Sequence, residues 1–145
     1  MKYSVVGLKL TESFEGCRLT AYPDSVGIPT IGYGHTQGVS LGMTCTQTQA
    51  EQWLLEDITL AENFVNKILP TGLTQGQFNA LVDFTFNLGV GSLQHSTLYQ
   101  LIKAKDFVAA AKEFPRWDKA GGKEVAGLLR RRLAEQAEFT QPAST

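Results

Sequence analysis

Cysteine, histidine, methionine and tryptophan each occur only twice in these 145 residues, and no apolar run approaches the roughly 20 residues needed to cross a bilayer. Cys17 and Cys45 are too few for a disulfide scaffold and lack metal-ligand spacing. Reduced thiols are therefore expected, with one bridge between them as the alternative. The start, Met1-Lys2 followed by Tyr3 to Leu8, is too short for the apolar region of an export signal, so the chain is expected to be soluble and not exported by a signal of its own. With 43% hydrophobic and 19% charged residues the sequence lacks the hydrophobic depletion of a disordered chain. Its length suits one domain or two small lobes sharing a core, and it carries no internal repeat or low-complexity linker.

Strong net charge is also missing, since thirteen Lys and Arg stand against fourteen Asp and Glu for a formal total of −1. The distribution is uneven. Residues 1–102 carry Lys2, Lys9, Arg18 and Lys67 against eight acids, whereas residues 103–133 carry nine basic residues against Asp106, Glu113, Asp118 and Glu124. The late segment has two readings: a solvated helical face of long side chains, or attraction to a polyanion such as nucleic acid or an anionic bacterial wall. The interleaved aromatics of a single-strand binding platform are absent, so nucleic acid is not an expected partner, although the basic segment keeps that reading alive.

What the sequence has in excess is glycine in one place. Gly16, Gly27, Gly32, Gly34, Gly38 and Gly42 crowd a short stretch with Pro23 and Pro29. Before it, Val6, Leu10 and Phe14 recur at helical spacing, which predicts a short amphipathic helix capped near Gly16. Within it, Arg18 to Tyr22 and Ile28 to Tyr33 read as strands joined by the turn Pro23-Asp24-Ser25-Val26-Gly27. From Thr46, paired with Gln49 as a capping box, Ala50, Trp53, Leu54, Ile58, Ala61, Phe64, Val65 and Ile68 line one face of a long helix that Pro70 and Gly72 end. Thr74 with Gln77 opens a second helix through Phe78, Leu81, Val82 and Phe86 to Gly89. Three shorter helical segments follow, Thr97 to Lys105, Asp106 to Phe114 and Glu124 to Glu138, with Gly121-Gly122 as the loop before the last and Gln141 to Thr145 as a frayed tail. The fold class is therefore α+β, a small Gly-rich β element followed by a larger helical body.

Chemistry concentrates in the Gly-rich hairpin, which holds Glu15, Asp24, Thr30 and His35. Strand alternation would set Thr30, Gly32 and Gly34 on one face and Ile31 and Tyr33 on the other, leaving open space beside a hydroxyl. Two carboxylates beside such a space suit glycoside hydrolysis, in which a protonated acid donates to the leaving oxygen and an ionised partner stabilises charge or activates water. Taken alone the pairing is weak, since two acids so spaced in a loop-rich segment more often cap helices or turns, and Asp24 after Pro23 fits a turn residue.

The run Glu15-Gly16-Cys17-Arg18-Leu19, then Tyr22-Pro23-Asp24-Ser25-Val26-Gly27-Ile28-Pro29-Thr30-Ile31-Gly32-Tyr33-Gly34-His35-Thr36, resembles the signature of the phage-type (T4-like) lysozymes, the endolysins of glycoside hydrolase family 24. Eight residues separate Glu15 from Asp24 and five separate Asp24 from Thr30, as in that family's catalytic arrangement. Phe86-Asn87-Leu88-Gly89, Arg116-Trp117 and Gly127 to Arg132 resemble family segments in the same order, so the likeness covers roughly residues 5 to 140.

The resemblance implies a single lysozyme-like domain over 1–145, with a β-containing lobe of about residues 12–45 and a helical lobe of about 46–140, the N-terminal helix packed on the latter, forming a cleft. It implies a muramidase that hydrolyses the β-1,4 bond between N-acetylmuramic acid and N-acetylglucosamine in peptidoglycan. Glu15 would be the general acid, with Asp24 and Thr30 holding the hydrolytic water on the opposite sugar face. The outcome would be inversion, for which the carboxyls stand roughly 6.5–9.5 Å apart. Glu15 must then keep a proton while Asp24 stays ionised. One of Arg130, Arg131 and Arg132 is expected near the acid. Gly34, His35, Thr36, Phe86 and Thr97 are implied at substrate-binding positions, with His35 hydrogen-bonded beneath the cleft rather than catalytic and Phe86 as readily core as cleft wall. His95 reads as a surface or helix-entry residue, Trp53 and Trp117 as core packing. An asparagine that some relatives place in the cleft is Ala111 here. Cys17 is similar in place to the redox-switched cysteine of secreted relatives, but those carry a membrane anchor and a switch is not expected here.

No metal or cofactor is implied. The implied partner is peptidoglycan, met as a monomer from the host cytoplasm once a separate holin has opened the membrane, without membrane insertion by the chain itself. Two other readings are a lytic transglycosylase, which needs one glutamate and no water-holding Asp24 and Thr30, and a non-catalytic peptidoglycan-binding module.

Overall fold

The structure, a computed structural model, describes residues 1–120 and 122–142. It is α+β, as the sequence predicts, with helices following a small antiparallel β-hairpin. The chain divides into two compact units, Thr11–Leu60 on the one hand and Met1–Leu10 with the chain from Ala61 onward on the other.

The first boundary falls inside α1 (Val5–Glu15). Gly16 ends this helix at φ 64°, its N–H bonded to the Glu12 carbonyl at 3.1 Å, because only glycine enters the left-handed region without a steric cost. The predicted stripe is only partly realised. Val6 is exposed, and Gly7 and Thr11 are buried instead, the Tyr3 ring lying so close to Gly7 that a β-carbon there would overlap it.

In the unit Thr11–Leu60, β1 (Arg18–Pro23) pairs antiparallel with β2 (Pro29–Gly32), placing Tyr22 opposite Thr30 and Pro23 opposite Pro29. The segment Met43–Cys45 runs along the other edge of β1, through hydrogen bonds from Ala21 N–H to Met43 O (2.8 Å) and from Cys45 N–H to Leu19 O (2.9 Å). β2 is shorter than the expected Ile28 to Tyr33. Gly32, at φ 65°, turns the chain back so that Ile31 and His35 exchange two N–H···O bonds of 2.9 Å each. That turn cancels the predicted alternation: Thr30, Ile31 and Gly32 are all buried, and Gly34 lies beyond the strand. The long helix α2 (Gln47–Ile68) starts at Thr46, whose Oγ1 accepts from Gln49 N–H at 3.1 Å. Ala50, Leu54, Ile58, Ala61 and Val65 are buried as the 3.6-residue period requires. Trp53 and Asp57 of α2, which hold the turn after β2, belong to this unit as well.

In the other unit, α3 (Gln75–Leu88) is the axis of the core, with every residue from Phe78 to Thr85 buried. Its start is a complete capping box: Thr74 Oγ1 accepts from Gln77 N–H (3.1 Å), and Thr74 N–H donates to Gln77 Oε1 (2.9 Å). α4 (Val90–Gln94), α5 (Thr97–Lys103), α6 (Phe107–Ala111), a one-turn 3-10 helix (Phe114–Arg116), the strand pair β3 (Lys119–Ala120) and β4 (Lys123–Glu124), and α7 (Ala126–Phe139) follow. The sequence anticipates α5, α6 and α7 but not α4, the 3-10 turn or β3–β4, each too short to display a hydrophobic period. Of the predicted loop and tail, Gly121 and residues 143–145 lie outside the described residues. α7 packs on α3 so closely that a β-carbon at Gly76 would overlap the Glu138 carbonyl oxygen. Phe84 meets the edges of Phe114 and Trp117, at centroid distances of 5.9 and 5.3 Å.

The basic segment needs correction. Arg131 and Arg132 are buried and belong to an ionic cluster between α3 and α7, not to a surface patch. Arg131 donates twice to Asp83, and Arg132 Nη2 donates to Asn87 Oδ1 (2.8 Å) and Glu135 Oε2 (2.9 Å). Arg132 Nε lies 2.7 Å from Glu135 Oε1 without the alignment of a hydrogen bond, so that contact is an ion pair only. Burial, reinforced by a hydrogen bond to the Asp83 carboxylate, pushes the Glu135 carboxyl well above its ordinary range despite the neighbouring guanidiniums. Arg116 and Lys119 remain exposed but pair with Glu113 and Asp118, both at 3.2 Å.

Candidate active site

Glu15 ends α1 and is half-buried. One carboxylate oxygen lies against the backbone of Gly34, where a β-carbon would stand 2.7 Å from Oε1. Asp24 sits at the mouth of the β1–β2 turn and is the turn residue its position after Pro23 suggests. Its Oδ1 accepts from the N–H groups of Val26 and Ile28, both at 2.9 Å, while its own N–H and C=O close the turn on Ile28 and Gly27. Oδ2 has no hydrogen-bond partner among the described residues, so the carboxylate is clamped through one oxygen only. Thr30, in β2, is buried, and its Oγ1 donates to Ile28 O at 2.9 Å. That bond uses the hydroxyl proton and fixes the rotamer, leaving oxygen lone pairs to accept.

His35 follows the turn and is buried. Its ring stacks on Trp53 at 4.7 Å between centroids and 5° from parallel, and Nδ1 lies 2.8 Å from Asp57 Oδ2. The imidazole is thus an anchor of the hairpin on α2. Trp53 and Asp57, four residues apart on one face of that helix, are the partners sequence reasoning missed; Trp53 was expected to pack, but the i, i+4 carboxylate beside it was the available signal. Thr36 is exposed. Cys17 and Cys45 are free thiols, and burial, then the neighbouring Cys45, pushes the Cys17 thiol up and away from the reactive thiolate.

Glu15, Asp24, Thr30, Gly34, His35 and Thr36 all fall in the unit Thr11–Leu60. Phe86 and Thr97 belong to the other unit, Phe86 half-buried near the end of α3 and Thr97 exposed in the first turn of α5, where Ser96 Oγ caps Tyr99 N–H at 2.9 Å. Ala111 is buried, and its carbonyl accepts from Gln136 Nε2 at 2.8 Å. His95 is exposed at the end of α4. Among the described residues no three His, Cys, Asp or Glu side chains gather as a metal site, and no helix is long and apolar enough to cross a membrane.

Comparison with known proteins gives concordant likenesses. Residues 12–135 match the family model described as phage lysozyme. The chain is 43% identical over 145 residues to the endolysin of Bacillus phage PZA, covering 96% of this chain and 55% of that protein. It therefore spans about half the length of that relative. To the endolysin of Salmonella phage P22 it is 39% identical over 144 residues, covering 96% of this chain and 98% of the other. Among solved structures, the muramidase domain of SpmX from Asticaccaulis excentricus superimposes with a TM-score of 0.90 at 34% identity, over 97% of this chain and 99% of that one.

Proposed function

Because the chain belongs to the phage lysozyme family, we propose that it is an endolysin, a muramidase that hydrolyses the β-1,4 bond between N-acetylmuramic acid and N-acetylglucosamine in peptidoglycan, of the T4-like type in glycoside hydrolase family 24. The observation that carries this reading is the state of Asp24: a carboxylate clamped by two backbone amides at one oxygen and open at the other, in the turn that leads into the strand of Thr30 and in the same compact unit as Glu15.

In the reaction, Glu15 gives its proton to the glycosidic oxygen as the bond to the anomeric carbon breaks. Water held by Asp24 and the Thr30 oxygen attacks that carbon from the opposite face and passes a proton to Asp24, so the product is a reducing sugar of inverted configuration. Asp24 is pre-organised for this because its second oxygen cannot swing while the first is bound twice. No metal or cofactor enters. Gly34, His35, Thr36, Phe86 and Thr97 are the positions proposed to border the sugar chain. The protein is proposed to work as a monomer, waiting in the host cytoplasm until a holin opens the membrane.

The test is turbidity loss of purified cell walls followed by mass analysis of the fragments. Reducing ends, and loss of lysis in a folded Glu15→Gln protein by the 10²-fold or more that general acid catalysis typically contributes, are the expected results. A 1,6-anhydro end would replace this reading with a lytic transglycosylase, and wall binding without turnover would replace it with a binding module. Expression without a holin should be tolerated until the membrane is permeabilised; spontaneous lysis would overturn the cytoplasmic assignment.

A further inference from the structure

Gly34 has a property that its place in a turn does not require. At φ 83° it sits in the left-handed region, like several other glycines of this chain, but most of those face open space, whereas the position of its missing β-carbon lies 2.7 Å from Glu15 Oε1 and 3.6 Å from Cδ. Real β-carbons do not approach an oxygen so closely, so the glycine leaves room for the carboxylate as well as permitting the turn.

The wall that Gly34 presents is held from behind. Ile31 and His35 close the three-residue turn Gly32-Tyr33-Gly34 with two hydrogen bonds of 2.9 Å, and Ile31 is fully buried. Gly32 packs on α2 with equal economy, a β-carbon there standing 3.2 Å from Ala50 Cβ. The His35 ring is pinned between Trp53 and Asp57. Both ends of the turn are therefore tied to α2, and Gly34 cannot retreat from Glu15 without breaking them.

We propose that Gly34 is a positioning residue for Glu15: its bare backbone, braced on α2 through His35, Trp53 and Asp57, sets where the acid's Oε1 stands. This deepens the assignment of Glu15 as the acid and rests on it. Since the atom a new methyl would strike is the far end of a flexible side chain, Gly34→Ala displaces the carboxyl rather than the fold, and a displacement of about 1 Å is enough for a loss on the order of 10²-fold.

The experiment separates this from backbone strain. Gly38 also has positive φ, 70°, with nothing within 4 Å of its β-position, so Gly38→Ala imposes the same kind of strain without touching Glu15. Gly34→Ala is expected to lower kcat on a soluble peptidoglycan fragment on the order of 10²-fold with KM little changed and the alkaline limb of the pH profile, which the general acid sets, moved, while Gly38→Ala loses stability alone. Shortening the acid should relieve the clash, so Gly34→Ala is expected to cost less in a Glu15→Asp background than in the parent. Should Gly34→Ala fail to fold, Asp57→Ala loosens the brace from behind and is expected to lower kcat and shift the same limb. If the Gly34→Ala or Asp57→Ala proteins match Gly38→Ala in kcat and pH profile, the proposal is overturned. Failure of the acid assignment shows separately, as activity retained by Glu15→Gln.

Discussion

Arg131 of α7 grips Asp83 of α3 through Nε to Oδ2 and Nη2 to Oδ1, each at 2.9 Å, with both side chains almost wholly out of water. Such a fork-on-fork pair, 48 positions apart in sequence, contributes little beyond what its desolvation costs, yet it cannot lose one partner cheaply. Arg131→Met should therefore lower unfolding free energy by about 3–5 kcal/mol, because the Asp83 carboxylate is left buried without its guanidinium. Urea denaturation checks this; a loss under about 1 kcal/mol would mean that other groups already neutralise Asp83.

The neighbouring Glu135 carries a pH dependence of definite sign. Its carboxyl, raised by burial and by Asp83, keeps a proton that the unfolded chain releases near the ordinary glutamate range. The stability this confers is fully present below that range and falls as pH rises through the raised value. Glu135→Gln, which keeps the shape and a donor toward Asp83, should flatten this decline when unfolding free energy is followed from acid to mildly alkaline pH. Parallel curves for the two proteins would remove Glu135 as its source.

Asp24 performs a structural and a chemical task with different oxygens, and two substitutions separate them. Asp24→Asn keeps an acceptor for Val26 and Ile28 and should melt near the parent temperature while losing most activity. Asp24→Ala should lose activity and also about 1 kcal/mol of stability, the usual worth of such a hydrogen-bonded turn or cap. Equal stability of the two variants would show that the turn does not depend on the carboxylate.

Lys105 follows α5 at φ 59°, its N–H bonded to Ile102 O at 3.0 Å and the next N–H, that of Asp106, to Leu101 O at 2.9 Å. This helix ending favours glycine, and a lysine there costs about 1 kcal/mol of backbone strain. Lys105→Gly should consequently raise the thermal midpoint by a few degrees despite the greater freedom of the unfolded chain. A lower midpoint would contradict the strain assigned to this position.

Wall attachment should depend on fewer cations than the sequence counts. Binding of the Glu15→Gln protein to cell walls is expected to weaken from low to high salt, and Lys112→Glu with Lys123→Glu, both exposed positions, should weaken it further. Sedimentation with washed walls measures this. Binding indifferent to salt and to both reversals would leave the segment as solvated surface.

The parts of the fold written in short-range grammar were readable in advance. Thr46 with Gln49, Thr74 with Gln77, and the periodic faces of α2 and α3 state their roles within a few residues, as do the Pro23-to-Gly27 turn and the cap at Gly16. The buried arginines were not readable, because charge ordinarily signals surface and Asp83, the partner that explains Arg131, is remote along the chain. The same holds for the brace behind the proposed acid. That glycine occupies position 34 is visible, but that Glu15 fills the space of its side chain is a three-dimensional fact. Strand alternation misled at this point since it assumed a strand continuing past Gly32.

The pairing of α3 with α7 also bears on when, during synthesis, this protein becomes itself. α3 emerges with Asp83 and the bare edge at Gly76 awaiting partners that lie far downstream, in the helix ending at Phe139. The fork on Asp83 therefore forms only once α7 has been made, 48 positions further on. A chain that stops short of α7 thus lacks the Arg131 guanidinium at Asp83 and leaves the Gly76 edge of α3 uncovered, the kind of partly packed helical unit that is prone to aggregation.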